Sequence, residues 1–102
     1  MTHKEEWVVM VIIARRKHKS ELVKMLYDHE AAMVHQTYAK GTAKASFLKS
    51  LGFTLEQNKL FLLGFVKTNQ VPAIFSVLEH KYQFKQPNSG FAFTFPLEKI
   101  SY

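Results

Sequence analysis

A chain of 102 residues, 47% hydrophobic and 22% charged, has the composition of one folded domain rather than of a disordered segment. Cysteine is absent, which excludes disulfides, thiolate metal sites and a cysteine nucleophile. The formal net charge of +6 keeps anionic partners, nucleic acid among them, in view.

Met1 to Glu6 lacks the basic-then-apolar layout and cleavage site of a signal peptide, and no apolar run is long enough to span a bilayer, so a cytoplasmic location is expected. Trp7–Ile13 is apolar and β-branched and reads as a strand. Arg15, Arg16, Lys17, His18 and Lys19 follow as a basic cluster, either a solvated loop or an anion or partner contact. Ser20–His29 has helical spacing, with Ser20 as the expected N-cap, Glu21 favoured by the helix dipole, and Leu22, Val23 and Leu26 as the apolar stripe. Met33–Lys40 is a second strand with one wet face.

Gly41–Asn58 is the longest connection. Thr42 to Leu51 reads as a short helix between Gly41 and Gly52, capped by Thr42 and with Phe47, Leu48 and Leu51 on one side. It is either a packed crossover or a loop that orders around a ligand or partner; long connections in compact domains are often functional. Lys59–Val66 is nearly continuously apolar and reads as a central buried strand. Val71–Tyr82 is the second helix, capped by Thr68 or Asn69, with Pro72 in its first turn and Val71, Ile74, Phe75 and Leu78 at helical spacing. Pro87 to Gly90 supplies a turn, and Phe91–Leu97 is a period-two strand with Phe91, Phe93 and Phe95 on one face.

The order is therefore strand–helix–strand twice, without a residue-level repeat. Split βαβ units of this kind pack into an antiparallel sheet with both helices on one face, an α+β architecture. The other face is left bare. If the three phenylalanines of the last strand point there, the patch needs a partner, and self-association is the simplest way to supply one.

The element order resembles the nitrogen-regulatory P-II signalling family. The residues carrying the likeness are Thr37-Tyr38-Ala39-Lys40-Gly41 closing strand two and Asn88-Ser89-Gly90-Phe91-Ala92-Phe93 opening strand four. Gly41-Thr42-Ala43 with Phe47-Leu48 and Leu51-Gly52 is similar to a divergent P-II-like branch with a shorter, ordered central segment. The resemblance spans about Trp7 to Ile100. It implies a single ferredoxin-like βαββαβ domain over residues 1–102, a homotrimer, and small-molecule sites between subunits. It also implies a central loop that acts on a target protein such as a transporter or enzyme.

Ligand residues carried over by this resemblance are Thr37, Lys40, Gly41, Asn88, Ser89 and Gly90, with Lys99 nearby. Partner contacts are implied at Thr42, Lys44, Phe47, Leu48 and Leu51. Family members bind adenine nucleotides. Here Asn88 replaces the first glycine of the phosphate loop, Phe91 replaces the lysine after Gly90, and Gly41–Asn58 holds no tyrosine for modification. A triphosphate needs several cationic or N–H donors, so a less charged ligand, or none, fits as well and weak or absent ATP binding is expected.

No enzyme is expected. His3, His18, His29, His35 and His80 are isolated, His35 reads as a packing histidine, and Ser46 and Ser50 lack a nucleophile elbow. No metal site is expected either. Two other readings of the sheet stand beside the regulator: a basic nucleic-acid-binding module, though without the Lys/Arg-Gly-Phe/Tyr pattern of RNA-recognition sheets, and a CutA-type metal-tolerance trimer.

Overall fold

The computed structural model of the chain describes residues 6–39, 59–86 and 89–96. Within them the backbone forms β1 (Trp7–Arg15), α1 (Lys19–Asp28), β2 (Met33–Ala39), β3 (Lys59–Lys67), α2 (Val71–His80) and β4 (Gly90–Pro96). The four strands make one antiparallel sheet in the order β2-β3-β1-β4. This is the ferredoxin-like α+β arrangement expected from the element order.

The two halves match closely. Each runs from a nine-residue strand through a three-residue 3-10 turn into a ten-residue helix, then to a seven-residue strand. Val11 pairs with Leu63 at the centre of the β1–β3 ladder. Leu22 and Leu26 of α1 are buried, and so are Ile74 and Leu78 of α2, each pair four residues apart on one helix face.

Both helices cover the same face of the sheet. Met10, Ile12, Ala14, Leu60, Leu62 and Val66 join Leu22, Met25, Leu26, Ile74, Leu78 and Tyr82 in one core. Burying each of the large aliphatic side chains contributes about 1.5–3 kcal/mol.

The helix starts differ from the sequence expectation. Ser20 is not the N-cap of α1, and neither Thr68 nor Asn69 caps α2. Each helix grows out of a 3-10 turn, Arg16–His18 or Thr68–Gln70, whose carbonyls already accept from the first helical donors: Lys19 N–H bonds to Arg16 O, and Val71 N–H to Thr68 O. The Thr68 hydroxyl instead donates to the Glu6 carbonyl at 3.0 Å. The basic cluster is thus not a loop, since Arg15 ends β1 and Lys19 begins α1. Helix α2 stops at His80, short of Tyr82.

The end of α1 matches a Schellman pattern. Glu30 has φ 68°, Glu30 N–H bonds to Tyr27 O, and Ala31 N–H bonds to Leu26 O. Lys67 then reaches the Glu30 carboxylate at 3.0 Å.

Strand β3 is central but not buried on both sides. Leu60, Leu62 and Val66 are covered by the helices, whereas Phe61 and Phe65 are half-buried and Leu63 is 38% exposed.

Gly90 has a packing reason to be glycine. A Cβ there would lie 2.2 Å from Phe84 Cζ, inside the ring's van der Waals contact. Gly90→Ala therefore must displace a ring packed against the core. We expect a loss of about 1–3 kcal/mol in urea unfolding. Combining it with Phe84→Leu should show strong coupling, because the smaller side chain leaves room for the methyl group.

Candidate functional site

Two features stand out on the sheet. The first is the face turned away from the helices. Val9, Val11 and Ile13 of β1 form a narrow ridge there, buried by Phe61 and Phe65 on one side and Phe91 and Phe93 on the other. The β4 rings stack along the strand, with centroids 5.7 Å apart for Phe91–Phe93 and 6.5 Å for Phe93–Phe95. Phe95 is 44% exposed and Met33 57%. The rings of β4 thus point to the face that the two described helices leave uncovered.

The second feature is the end of the sheet where β1 finishes and β3 and β4 begin. Arg15 is paired in register with Lys59, whose next neighbour across the sheet is Ala39. Lys59 is fully buried. Loss of hydration holds its amine below the ordinary lysine value, and the Arg15 charge adds to the depression. Sequence reading missed this residue, because a lysine leading an apolar strand looks like a solvated strand end. Only the strand register places it beside Arg15.

The residues carried over from the family fall on opposite edges. Thr37 lies on β2 and shares a row with Phe61, Ile13 and Phe91. Gly90 lies on β4, in the adjoining row with Ala14, Leu60 and Tyr38. Three strand spacings, roughly 14 Å, separate the edges. One chain therefore does not bring Thr37 together with Ser89 and Gly90. Lys40, Gly41, Asn88 and Lys99 lie outside the described residues, as do the partner positions Thr42, Lys44, Phe47, Leu48 and Leu51 and the helix expected among them. His35 is exposed on β2 and not packed in the core. Among the described residues no helix is long and apolar enough to cross a membrane, and no group of three or more His, Asp or Glu side chains is placed to hold a metal ion.

No protein-family model matches this chain, and no curated protein matches it in sequence. Solved structures do share its fold. A Thermus thermophilus protein assigned as a PII-like signalling protein is 17% identical with a TM-score of 0.66, the match covering 91% of this chain and 87% of that one. A Bacillus cereus protein related to NIF3 is 14% identical with a TM-score of 0.64, covering 96% of this chain but 27% of that one. A functionally unknown protein from Pediococcus pentosaceus is 10% identical with a TM-score of 0.64, covering 97% of this chain and 99% of that one. The P-II-like, ferredoxin-like fold implied by the sequence resemblance is thus the fold of this chain.

The buried amine sets a pH dependence. Because the folded pKa of Lys59 is lowered, the unfolded chain holds more protons in the window just below 10.5, and stability rises with pH across it. Urea midpoints should therefore increase from pH 8 to pH 10, and Lys59→Met should flatten that rise. Tyr82, pushed up to about 12, begins to oppose it as the pH nears 10, where the unfolded tyrosine loses its proton first.

Proposed function

We propose that this protein is a P-II-like regulator, not an enzyme. It assembles as a homotrimer through the aromatic sheet face, senses a small molecule at the clefts between subunits, and acts on a target protein through residues 41–58. The observation that carries this reading is the face built by Phe61, Phe65, Phe91, Phe93 and Phe95 over the Val9-Val11-Ile13 ridge, which the two described helices do not cover.

Three further points support it. The central strands are apolar on both sides, the pattern of strands that end up covered on both faces. The ligand residues implied by the resemblance sit on opposite sheet edges, so a site that unites them needs more than one chain. A PII-like signalling protein shares the fold. The ligand is a small molecule less charged than a triphosphate, as expected from the departures at Asn88 and Phe91.

Light scattering should report three times the 11.8 kDa of the chain. The double variant Leu63→Glu, Phe95→Glu should give a folded single chain, because both side chains are already exposed within one subunit. A wild-type protein that stays at the mass of one chain would end this reading. Removal of residues 47–51 should leave the assembly mass unchanged and abolish capture of the target. Disassembly on that deletion would place the segment in the subunit contact instead.

A further inference from the structure

The strand register places an ionisable side chain inside the aromatic face. His35 pairs with Leu63, Leu63 with Val11, and Val11 with Phe93. Partners in register point to the same side of a sheet, and Val11 and Phe93 belong to the cluster turned away from the helices. The His35 ring is on that side as well. Leu63 lies directly opposite it, Phe61 and Phe65 on the diagonals, and Met33 and Thr37 two residues away along its own strand. In the rows that cross the sheet from Met33, His35 and Thr37, His35 is the one titratable group. We propose that protonation of His35 weakens the contact between subunits, so that the assembly is a pH-sensitive switch that opens on acidification. The switch rests on the proposed homotrimer.

Exposure gives the switch its direction. Within one subunit His35 is exposed and Leu63 is 38% exposed, so either form of the ring is hydrated in the single chain. A subunit contact through this face takes the same ring out of water and sets it among apolar side chains. A neutral imidazole has one N–H to satisfy there, whereas an imidazolium brings a full charge. Assembly therefore favours the neutral ring, and by linkage added protons favour the single chain. The proton acts from the same row as a glutamate at position 63, but reversibly.

The charges around the face do not cancel this effect. On β3 they are Lys59 and Lys67, each four residues from Leu63, and on β1 it is Arg15, across from Lys59. None of the three is an anion. β4 carries no charged residue from Gly90 to Pro96. Glu30, in the turn between α1 and β2, holds Lys67 at 3.0 Å, and the adjacent His29 has its Nδ1 2.8 Å from the Met25 carbonyl oxygen of α1. Ordinary carboxylates stay ionised between about pH 5 and 8, the range in which histidine changes charge, so that window reads histidines alone.

Sedimentation velocity over a concentration series at pH 7.5 and pH 5.5 tests the switch. The concentration of half-dissociation should rise by about tenfold or more at the lower pH. His35→Gln stays polar without the charge and should remove the rise, and His35→Lys should bring the dissociated behaviour to pH 7.5. His80→Gln, at the exposed end of α2, should respond as the wild type does. Where the assembly outlasts dilution, exchange between unlabelled and 15N-labelled chains, followed by mass spectrometry, should quicken at pH 5.5 in the wild type and not in His35→Gln. An assembly equally tight and equally slow to exchange at both pH values would overturn the switch and leave the homotrimer standing, as would a His35→Gln protein that still opens on acidification. A wild-type protein with the mass of one chain at pH 7.5 would end the homotrimer and the switch together.

Discussion

The fold depends on two central strands that are apolar on both faces while the two described helices cover only one. β1 alternates Met10, Ile12 and Ala14 toward the helices with Val9, Val11 and Ile13 away from them. β3 does the same with Leu60, Leu62 and Val66 against Phe61, Leu63 and Phe65. A two-layer α+β domain satisfies the first set by packing α1 and α2 side by side. The second set is treated differently. The small β-branched ridge of β1 sinks between taller phenylalanines, which leaves a surface of ring faces and edges. That solution protects the middle of the sheet but moves the exposed apolar area outward, onto Phe95, Leu63 and Met33. The exposed apolar area is displaced rather than removed.

Much of this is legible in the sequence. Periodicity finds all six elements because each is long and strongly patterned, and the period of two at Phe91, Phe93 and Phe95 already places those rings on one side. What is not legible is which side, since alternation fixes parity but not the face the helices choose. The caps are misread for a related reason. Ser20, Thr68 and Asn69 have capping side chains, but the chain leaves β1 and β3 at the same backbone angles, φ −74° and ψ 140°, straight into a 3-10 turn. The turn's carbonyls answer the first helical donors before any side chain is needed. Lys59 is hidden in the same way. Its burial and its pairing with Arg15 follow from strand register, a long-range property that no local window contains.

The candidate site shows how a glycine can meet two requirements. Gly90 resembles the glycine of a phosphate loop, yet within one chain its lack of a side chain is already required by the Phe84 ring. The two requirements are compatible, because the ring lies where a Cβ would be and says nothing of the backbone N–H. They do change what a substitution reports. Loss of ligand binding in a Gly90 variant would reflect Phe84 displacement as much as a lost donor.

Topology bears on the proposed coupling of assembly to ligand binding. In the order β2-β3-β1-β4, the ends of the chain's ligand-related segments are placed on the two outer strands, with β3 and β1 between them. No side-chain movement closes a gap of three strands, because the intervening positions are filled by Phe61 and Ile13 and by Leu60 and Ala14. In the proposed assembly, a ligand that contacts both edges bridges subunits, and its binding energy adds to that of the aromatic contact.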